Sequence, residues 1–339
     1  MSTGAVLHTV KVQLPNEVCD AKESDPCWMV QNNNYDFAVD DAGTPYLLNQ
    51  YVNQVPSTQG VKTTYSAPQL LKINRQTGVA TIVGSLPWAN NRHALTSANY
   101  HLGFDAARGA VLATYRNYSD AVPHHTPEIY GVASLDVGTG AASEVARIAI
   151  ECPWCTPARG TEVISENGAF GGGLFCDETS SLSNGTTFQD YTCWDLATHG
   201  AKVASARNAA QLFDVQWDPR TSRVVGLGIC CDGVEGCPAE CKGFAGNRTW
   251  VTWDPRGGGA PSITARVDPV PAPEFGATYG PMGSALDADA RAFTYLAITN
   301  ASGAEITGLR FVHIDADSGK PRGATPWNFA QSGLGWRYA

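Results

Sequence analysis

The sequence predicts an all-β fold, a closed five-bladed β-propeller built from four-stranded antiparallel blades. Short segments alternate apolar and polar residues with the two-residue period of half-buried strands, and Asp, Pro and Gly interrupt them at short intervals. The same pattern of turns recurs about every 60 residues. No long stretch has the 3.6-residue period of an amphipathic helix. Radial repetition of one strand-and-turn unit accounts for all three observations.

Two turn positions define the repeat. The second turn of each unit begins with Asn or Asp and is followed within a few residues by Gly; it recurs at Asn74, Asp136, Asp195, Asp254 and Asp315. The first turn recurs at Asp40, Asp105, Glu166, Asp218 and Asp287. Asp and Asn side chains accept hydrogen bonds from the backbone just ahead of them, and Gly adopts a positive φ at low cost. We therefore predict a tight turn at each of these positions.

Each unit is predicted to contain four strands, named A to D in chain order. The units cover residues 35–88, 98–150, 160–206, 211–268 and 281–326 of a single domain that spans 1–339. The last unit has a poor strand D, whereas the N-terminal run 5–13 alternates well, so we expect that run to complete the last blade and close the ring. Closure would remove the unpaired strand edges that an open ring leaves. A sixth blade built from both termini is the alternative.

The turns Asp136–Gly140 (DVGTG) and Asp315–Gly319 (DADSG) resemble the D-x-x-T-G-like turns of generic β-propeller repeats of the YVTN, NHL and WD40-like kind. The resemblance extends over nearly the whole chain and implies a propeller fold. Enzymes, lectins and scaffold proteins share such repeats, so the resemblance does not choose among functions.

Composition excludes several classes of function. The net charge of −9 argues against a nucleic-acid partner, which would require a basic surface. No run of 18 apolar residues is present, so we expect no membrane span. The chain has no P-loop, Rossmann glycine pattern or G-x-S-x-G motif, which argues against a nucleotide cofactor and against serine-esterase chemistry.

The 10 cysteines form local clusters, which is typical of disulfides in an extracellular protein. We predict the bridges Cys19–Cys27, Cys152–Cys155 and Cys176–Cys193, and two bridges among Cys230, Cys231, Cys237 and Cys241. A thioredoxin-type redox pair at Cys152–Cys155 and a zinc site at Cys230–Cys241 are the alternatives. The first lacks a surrounding βαβ unit, and the second has no standard ligand spacing.

Four N-glycosylation sequons add to the extracellular interpretation, although chance alone would give about two or three. They are Asn117, Asn184, Asn247 and Asn300. The N-terminus is too polar for a signal peptide, so we expect a secreted glycoprotein whose signal is absent from this chain.

Polar residues recur at one position of strand A, four residues before each first turn. They are Asp36, His101, Glu162 and Asp214, with Gly283 in the last unit. Strand A of a propeller lines the central channel, and alternation places these side chains on one face of each blade. Such a ring would bind Ca²⁺ or another divalent cation, or would supply the acid, base or metal ligands of a hydrolase. A solvated channel that uses none of them is the third interpretation.

The connections of a propeller fall into two sets. The A–B and C–D turns are predicted to be tight, whereas the B–C and D–A connections are long, as in 52–64 and 177–190. Long loops on a rigid scaffold are where binding usually occurs. We therefore predict a secreted binding or structural protein that contacts a protein or glycan partner through this long-loop face. The alternative is a glycosidase- or lactonase-like hydrolase, since Asp36, Glu162 and Asp214 are similar by blade position to the inner-strand carboxylates of five-bladed glycoside hydrolases.

Further candidates are the exposed pair His124–His125, as ligands of a transition metal, and tryptophans near the long-loop face, as stacking partners for sugar rings. These tryptophans are Trp88, Trp154 and Trp327. An ordinary loop and wedging between blades are the respective alternatives.

Overall fold

The computed structural model describes part of the chain, and the described residues form only strands, turns and short connections. The described residues are 12–15, 27–28, 37–49, 51–57, 60–88, 101–117, 129–148, 168–183, 186–207, 210–230, 248–259, 261–266, 284–302 and 305–327. None of them belongs to a helix that is long and apolar enough to cross a membrane.

The strands are, in chain order, β1 (Cys27–Trp28), β2 (Phe37–Val39), β3 (Pro45–Asn49), β4 (Tyr51–Ser57), β5 (Gly60–Tyr65), β6 (Gln69–Ile73), β7 (Ala80–Ser85), β8 (Leu102–Asp105), β9 (Ala110–Asn117), β10 (Ile129–Asp136), β11 (Ala142–Ile148), β12 (Ala169–Gly171), β13 (Leu174–Ser183), β14 (Thr186–Asp195), β15 (Ala201–Arg207), β16 (Ala210–Asp218), β17 (Arg223–Cys230), β18 (Arg248–Trp253), β19 (Ser262–Arg266), β20 (Ser284–Asp287), β21 (Ala292–Ser302), β22 (Glu305–Asp315) and β23 (Pro321–Trp327).

Five sheets have four strands each, and within each sheet the spatial order follows the chain. Blades 1 to 5 are β2-β3-β6-β7, β8-β9-β10-β11, β12-β13-β14-β15, β16-β17-β18-β19 and β20-β21-β22-β23. Their strands are A to D of the repeat, and neighbouring strands are antiparallel. The predicted fold class, all-β with five four-stranded antiparallel propeller blades, is confirmed. A sixth four-stranded blade does not occur among the described ranges.

The chain divides into two compact units. One consists of 10–163 and 194–201 and contains blades 1 and 2. The other consists of 1–9, 164–193 and 202–339 and contains blades 4 and 5 and most of blade 3.

The Asp and Asn side chains at the predicted second turns hold the backbone in place. Asp136 Oδ1 accepts hydrogen bonds from the backbone N–H groups of Gly138 (3.0 Å) and Thr139 (2.7 Å), and Gly140 completes the turn with a φ of 74°. Equivalent bonds occur at Asn74, Asp254 and Asp315. The repeat is therefore visible in the sequence because each turn needs an acceptor at its start and a glycine at its end.

The first turn of blade 3 lies at a different place from the predicted one. The sequence SENGAFGGG contains two turn signals, and the first of them, at Glu166, was assigned to the A–B turn. In the structure β12 pairs with β13 through Gly172 and Gly173, which have φ values of 58° and 77°. Strand A of this blade is therefore Ala169–Gly171. Glu162 does not lie four residues before the A–B turn, so the register argument for it no longer holds.

Apolar clusters fill the space between neighbouring blades of each unit. Blades 1 and 2 share a cluster that includes Leu70, Leu86, Val111 and Tyr115. Blades 3 and 4 share a second cluster, and blades 4 and 5 share a third around Trp250. Because the buried residues of these clusters are apolar, burial of apolar area is the main source of stability in this arrangement.

Strand A of blade 1 buries its small central residue and leaves the apolar residues on either side largely exposed. Ala38 is 2% exposed, whereas Phe37 and Val39 are 44% and 52% exposed. Ala38 pairs with Tyr46 and belongs to the cluster shared with blade 2. In strand A of blade 4, Val215 is buried.

The N-terminal segment covers part of the outer edge of blade 1. Gln13 forms a parallel bridge with Val79 through two backbone hydrogen bonds of 2.8 Å, and Leu14 packs against the apolar side of β6 and β7. This pairing satisfies backbone groups that an edge strand would leave open. Residues 5–11 of the predicted closing strand lie outside the described residues, so completion of the last blade by this run stays a prediction.

Candidate functional site

The predicted inner-strand ring is only partly described. Asp36 and Glu162 lie outside the described residues, and Asp214 is a β16 residue whose backbone pairs with Leu227. His101 lies just before β8, is 5% exposed, and exchanges hydrogen bonds with Thr114, whose Oγ1 accepts from the His101 backbone N–H. A cation site or an acid–base site formed by these four residues stays a prediction.

No group of three or more His, Cys, Asp or Glu side chains with metal-binding geometry occurs in the described part of the chain. The candidates His124, His125 and Trp154 lie outside that part. Trp327 is the last residue of β23 and pairs with Leu309.

The B–C connections differ most from the predictions. Residues 52–64 were predicted as a loop but form the hairpin of β4 and β5, and β1 adds a third strand through Cys27 and Trp28. The segment 177–190 likewise consists mainly of the extended ends of β13 and β14. Both segments are rich in Thr, Ser and Gln, so they lack the apolar–polar alternation from which strands are predicted.

The predicted disulfide between Cys176 and Cys193 is confirmed. It joins strands B and C of blade 3 at the base of the β13–β14 hairpin, and both cysteines are fully buried. Cys27 lies in β1 beside the blade 1 hairpin, and Cys230 is the last residue of β17. The other predicted bridges involve cysteines outside the described residues, namely Cys19, Cys152, Cys155, Cys231, Cys237 and Cys241.

All four sequons fall in B–C connections. Asn117 ends β9, Asn184 lies between β13 and β14, Asn247 directly precedes β18, and Asn300 lies near the end of β21. In sequence, each is therefore at or beside the B–C connection of its own unit, in units 2 to 5 respectively. The B–C connection of blade 1 has no sequon. The number of sequons is close to that expected by chance, but the sequons are concentrated in one part of the repeat.

A cleft of about 370 Å³ separates the outer strand of blade 1 from the C–D turn of blade 2. Its blade 1 wall consists of Gln69, Ile82, Gly84, Ser85, Pro87 and Trp88. Gly140 and Ala142 form the blade 2 wall. The backbones of the two blades are in contact at Gly84 and Gly140, where a Cβ on either residue would overlap backbone atoms of the other blade. Side chains wider than hydrogen are excluded at this point, and the cleft opens beside it.

Two polar atoms at this cleft lack hydrogen-bond partners. Gln69 Oε1 and Trp88 Nε1 are both buried, and no acceptor or donor lies within 3.5 Å of either in suitable geometry. A buried polar atom without a partner costs free energy that most native proteins avoid. Both atoms belong to side chains that line the cleft.

Trp88 is positioned by a polar contact inside blade 2. Its ring packs edge to face against the Tyr115 ring, with 6.4 Å between the ring centroids. The Tyr115 hydroxyl donates a hydrogen bond to Glu144 Oε2. Tyr115 crosses β10 at Gly131, where a Cβ would overlap the phenol ring. Arg147 Nε donates to the other Glu144 oxygen at 2.8 Å.

The surroundings shift the pKa values of Tyr115 and Glu144 in opposite directions. Burial, followed by the hydrogen bond to Glu144, raises the pKa of Tyr115, while Arg147 and the neighbouring Trp88 indole N–H, which lies outside hydrogen-bond geometry, act against the rise. Burial would raise the pKa of Glu144, but the bonds from Tyr115 and Arg147 outweigh it and lower that pKa. Tyr115 is thus a neutral donor and Glu144 a charged acceptor over the physiological range.

A buried ion pair connects blades 4 and 5 and was not predicted from the sequence. Asp218 is fully buried, and Arg291 binds both of its carboxylate oxygens, at 2.9 Å from Nη1 and 2.8 Å from Nη2. Arg291 also contacts Asp317 at 2.6 Å. Arg291 has a φ of 52°, at the place in the A–B turn where blade 2 has Gly109. The sequence did contain one indication of this contact: an arginine stands where another unit has glycine, and a side chain at a positive φ strains the backbone.

Comparisons with known proteins give no family assignment. No family model matches the chain, and no curated protein matches it. Solved structures of similar shape include the β-propeller domain of the Trilobed protease from Pyrococcus furiosus, at 6% identity and a TM-score of 0.39 over 88% of this chain and 72% of that chain. Exo-β-1,3-galactanase from Phanerochaete chrysosporium, with galactose, has 10% identity and a TM-score of 0.42 over 92% and 67% of the two chains.

Dipeptidyl peptidase 4 from Porphyromonas gingivalis has 8% identity and a TM-score of 0.39 over 91% of this chain, which spans 40% of that protein's length. These similarities carry no inference about the activity of the present chain.

Proposed function

We propose that this protein is an extracellular binding or structural glycoprotein that contacts a protein or glycan partner through the B–C ends of its blades. The observation that carries the proposal is the concentration of extracellular features in one connection of the repeat. The four sequons and the extended hairpins lie at or beside B–C connections, and the Cys176–Cys193 disulfide joins strands B and C at the base of one of these hairpins. A buried enzymatic site would not require this distribution.

The hairpins suit recognition because their backbones are already paired. In blade 1 the six pairs from Val52↔Tyr65 to Ser57↔Gly60 keep the hairpin in register, and β1 pairs with its base. A partner that binds a preformed hairpin loses less conformational entropy than one that must order a loop.

Glycans would leave one hairpin uncovered. Blades 2 to 5 each carry a sequon at the B–C end, whereas the hairpin of blade 1 carries none. We therefore infer that the blade 1 hairpin, residues 51–65, makes the protein-mediated contact. Glycans on the other blades would cover their B–C ends.

The test begins with secretion of the full chain from a eukaryotic host and mapping of its glycopeptides and disulfides under non-reducing conditions. We expect glycans at Asn117, Asn184, Asn247 and Asn300 and no free thiols. Secreted protein with unmodified sequons and reduced cysteines would refute the extracellular assignment.

The binding surface is tested on arrays of purified extracellular proteins and glycans. In one variant Asn-Gly replaces residues 54–63, which shortens the blade 1 hairpin and keeps the pair Asn53↔Thr64. The control variant carries Arg220→Ala in the A–B turn of blade 4. We expect the shortened hairpin to abolish binding and the control to retain it.

A hydrolase panel run in parallel separates the alternative. Turnover of a glycoside or lactone that Asp214→Asn abolishes would replace the binding proposal with the hydrolase. Melting before and after EDTA tests the predicted cation, because a bound ion stabilises the folded state by mass action.

A further inference from the structure

We propose that the cleft between blades 1 and 2 binds a neutral, polyhydroxylated ligand such as the terminal residue of a saccharide. The proposal goes beyond the B–C surface and does not depend on it. It rests on the size of the cleft, on its uncharged walls and on the two polar atoms without partners.

The size of the cleft suits a small ligand. Its volume of about 370 Å³ lies near the lower end of the range of about 300–1,000 Å³ that small-molecule sites occupy. A single sugar ring or a short polyol fits this space better than a peptide segment does. The close backbone contact of Gly84 with Gly140 closes one side of the cleft.

The walls select for a neutral ligand with an apolar face. None of the lining residues that the structure describes is charged, so an ionised ligand would lose its hydration there without gaining a counterion from them. Trp88, Pro87 and Ile82 supply apolar surface, and aromatic rings of this kind stack on the C–H face of a sugar. Ser85 adds a hydroxyl that can both donate and accept.

The two unpartnered atoms are complementary to a hydroxyl group. Gln69 Oε1 needs a donor and Trp88 Nε1 needs an acceptor, and an alcohol O–H provides both functions. The last torsion of a glutamine side chain is soft, so rotation of the Gln69 amide turns Oε1 toward an incoming hydroxyl at small cost. Trp88 is held more firmly, since its ring packs on Tyr115, which is itself hydrogen-bonded to Glu144.

Binding is measured on the full chain by saturation-transfer NMR and calorimetry. The probes are the methyl glycosides of glucose, galactose, mannose and xylose, with glucuronate as the charged comparison. We expect at least one neutral glycoside to bind saturably and glucuronate not to bind. The absence of saturable binding by every neutral probe, or binding of glucuronate alone, would overturn the proposal.

Substitutions assign the binding to this cleft. Gln69→Met removes the acceptor and Trp88→Phe removes the donor, and each should weaken the Kd about fivefold, the effect of one net hydrogen bond. Trp88→Leu removes the aromatic wall as well and should abolish detectable binding. Since Trp88 also packs against the core, a thermal melt of each variant verifies that the protein is folded.

The matched controls are Gln216→Met and Trp253→Phe, whose polar atoms are satisfied elsewhere, by Ser284 and Gly259 respectively. Both should bind the glycoside as the wild type does. Equal weakening by the controls, or an unchanged Kd in Gln69→Met and Trp88→Phe, would show that the cleft holds solvent only and would overturn the proposal.

Discussion

The junction between blades 4 and 5 and the junction between blades 1 and 2 are both packed with apolar side chains, but they differ in the hydrogen bonding of their buried polar groups. Between blades 4 and 5, the Asp218 carboxylate is buried and accepts from Arg291, from Thr221 Oγ1 (2.7 Å) and from the Arg220 backbone N–H (3.0 Å). Between blades 1 and 2, Gln69 Oε1 and Trp88 Nε1 are buried without partners. Both junctions have a continuous apolar cluster, so the difference lies in their polar groups.

Each of the two junctions contains a tryptophan whose indole N–H has no acceptor, but the surroundings of the two rings differ. Trp250 Nε1 also lacks an acceptor, but its ring is fully buried against Phe293 and Gly319. Trp88 lines an open cleft instead. A polar defect sealed inside a core is a local cost of packing, whereas a polar defect in the wall of a cleft lies next to a space that a ligand can enter. Among the described residues, the polar groups of the blade 4–5 junction are therefore structural, whereas those of the blade 1–2 junction border a cleft.

The largest expected effect is at the buried ion pair. Arg291→Met leaves the Asp218 carboxylate buried beside an apolar side chain and should lower the free energy of unfolding by about 3 kcal/mol, because loss of one partner strands the other charge. Arg322→Met is the matched control. It breaks the pair with Asp315, whose partners are 38% and 26% exposed, and should cost less than about 1 kcal/mol.

Urea unfolding of both variants provides the measurement. Equal losses would mean that Asp218 finds other partners or water in the variant. In that case the blade 4–5 junction would not depend on the pair.

The second prediction concerns pH at the same junction. Burial alone would raise the pKa of Asp218, but bonds from Thr221, Arg291 and the Arg220 backbone lower it. A folded-state pKa below the unfolded value means that the carboxylate stabilises the fold above about pH 4 and that this contribution is lost as pH falls further. Asp218→Asn should therefore cost about 2 kcal/mol near neutrality, and the difference from wild type should shrink below pH 4.

Unfolding curves at several pH values test this, with a carboxyl NMR titration of the wild type as a direct check. A gap between the two proteins that stays constant from neutrality down through pH 3 would contradict the assigned direction of the shift.

Local signals predicted most of the fold, and long-range pairing explains what they missed. Each blade was found because an acceptor such as Asp136 and a glycine such as Gly140 are needed within one turn, which a sequence displays directly. The error at Glu166 arose where two such signals lie side by side. Partners such as Asp218 and Arg291 are 73 residues apart, and only the assembled blades bring them together.

The candidate site divides in the same way. Trp88 was singled out because it follows a strand D, but its contact with Tyr115 depends on the register of two blades and could not be read from the chain. The disulfide between Cys176 and Cys193 was predictable because both cysteines lie on adjacent strands of one hairpin.

The third prediction probes the positioning of Trp88. Tyr115→Phe removes the donor to Glu144 and should cost about 1.5 kcal/mol, since the acceptor is charged but partly exposed. The Trp88 indole N–H resonance should also shift, because the phenol ring is no longer held in place. Tyr46→Phe is the control: it removes a similar bond, to Asp40 Oδ2 at 3.1 Å, and should leave that resonance unchanged. Identical spectra of Tyr115→Phe and wild type would show that the hydroxyl does not orient Trp88.

The smallest expected effect compares the two junctions directly through one matched pair of substitutions. Gln216 Nε2 donates to Ser284 O and Oγ at 3.3 and 3.2 Å, so Gln216→Met should lower the free energy of unfolding by about 1 kcal/mol. Gln69→Met removes a buried acceptor that has no partner, and it should be neutral or slightly stabilising because the desolvation cost disappears with the atom. The two substitutions are chemically identical, so differences in side-chain entropy and volume largely cancel. Chemical unfolding resolves a difference of this size when the slopes of the two transitions agree. Equal losses in both variants would mean that water already satisfies Gln69 Oε1 in the free protein, and the contrast between a structural and a binding junction would then rest on the cleft volume alone.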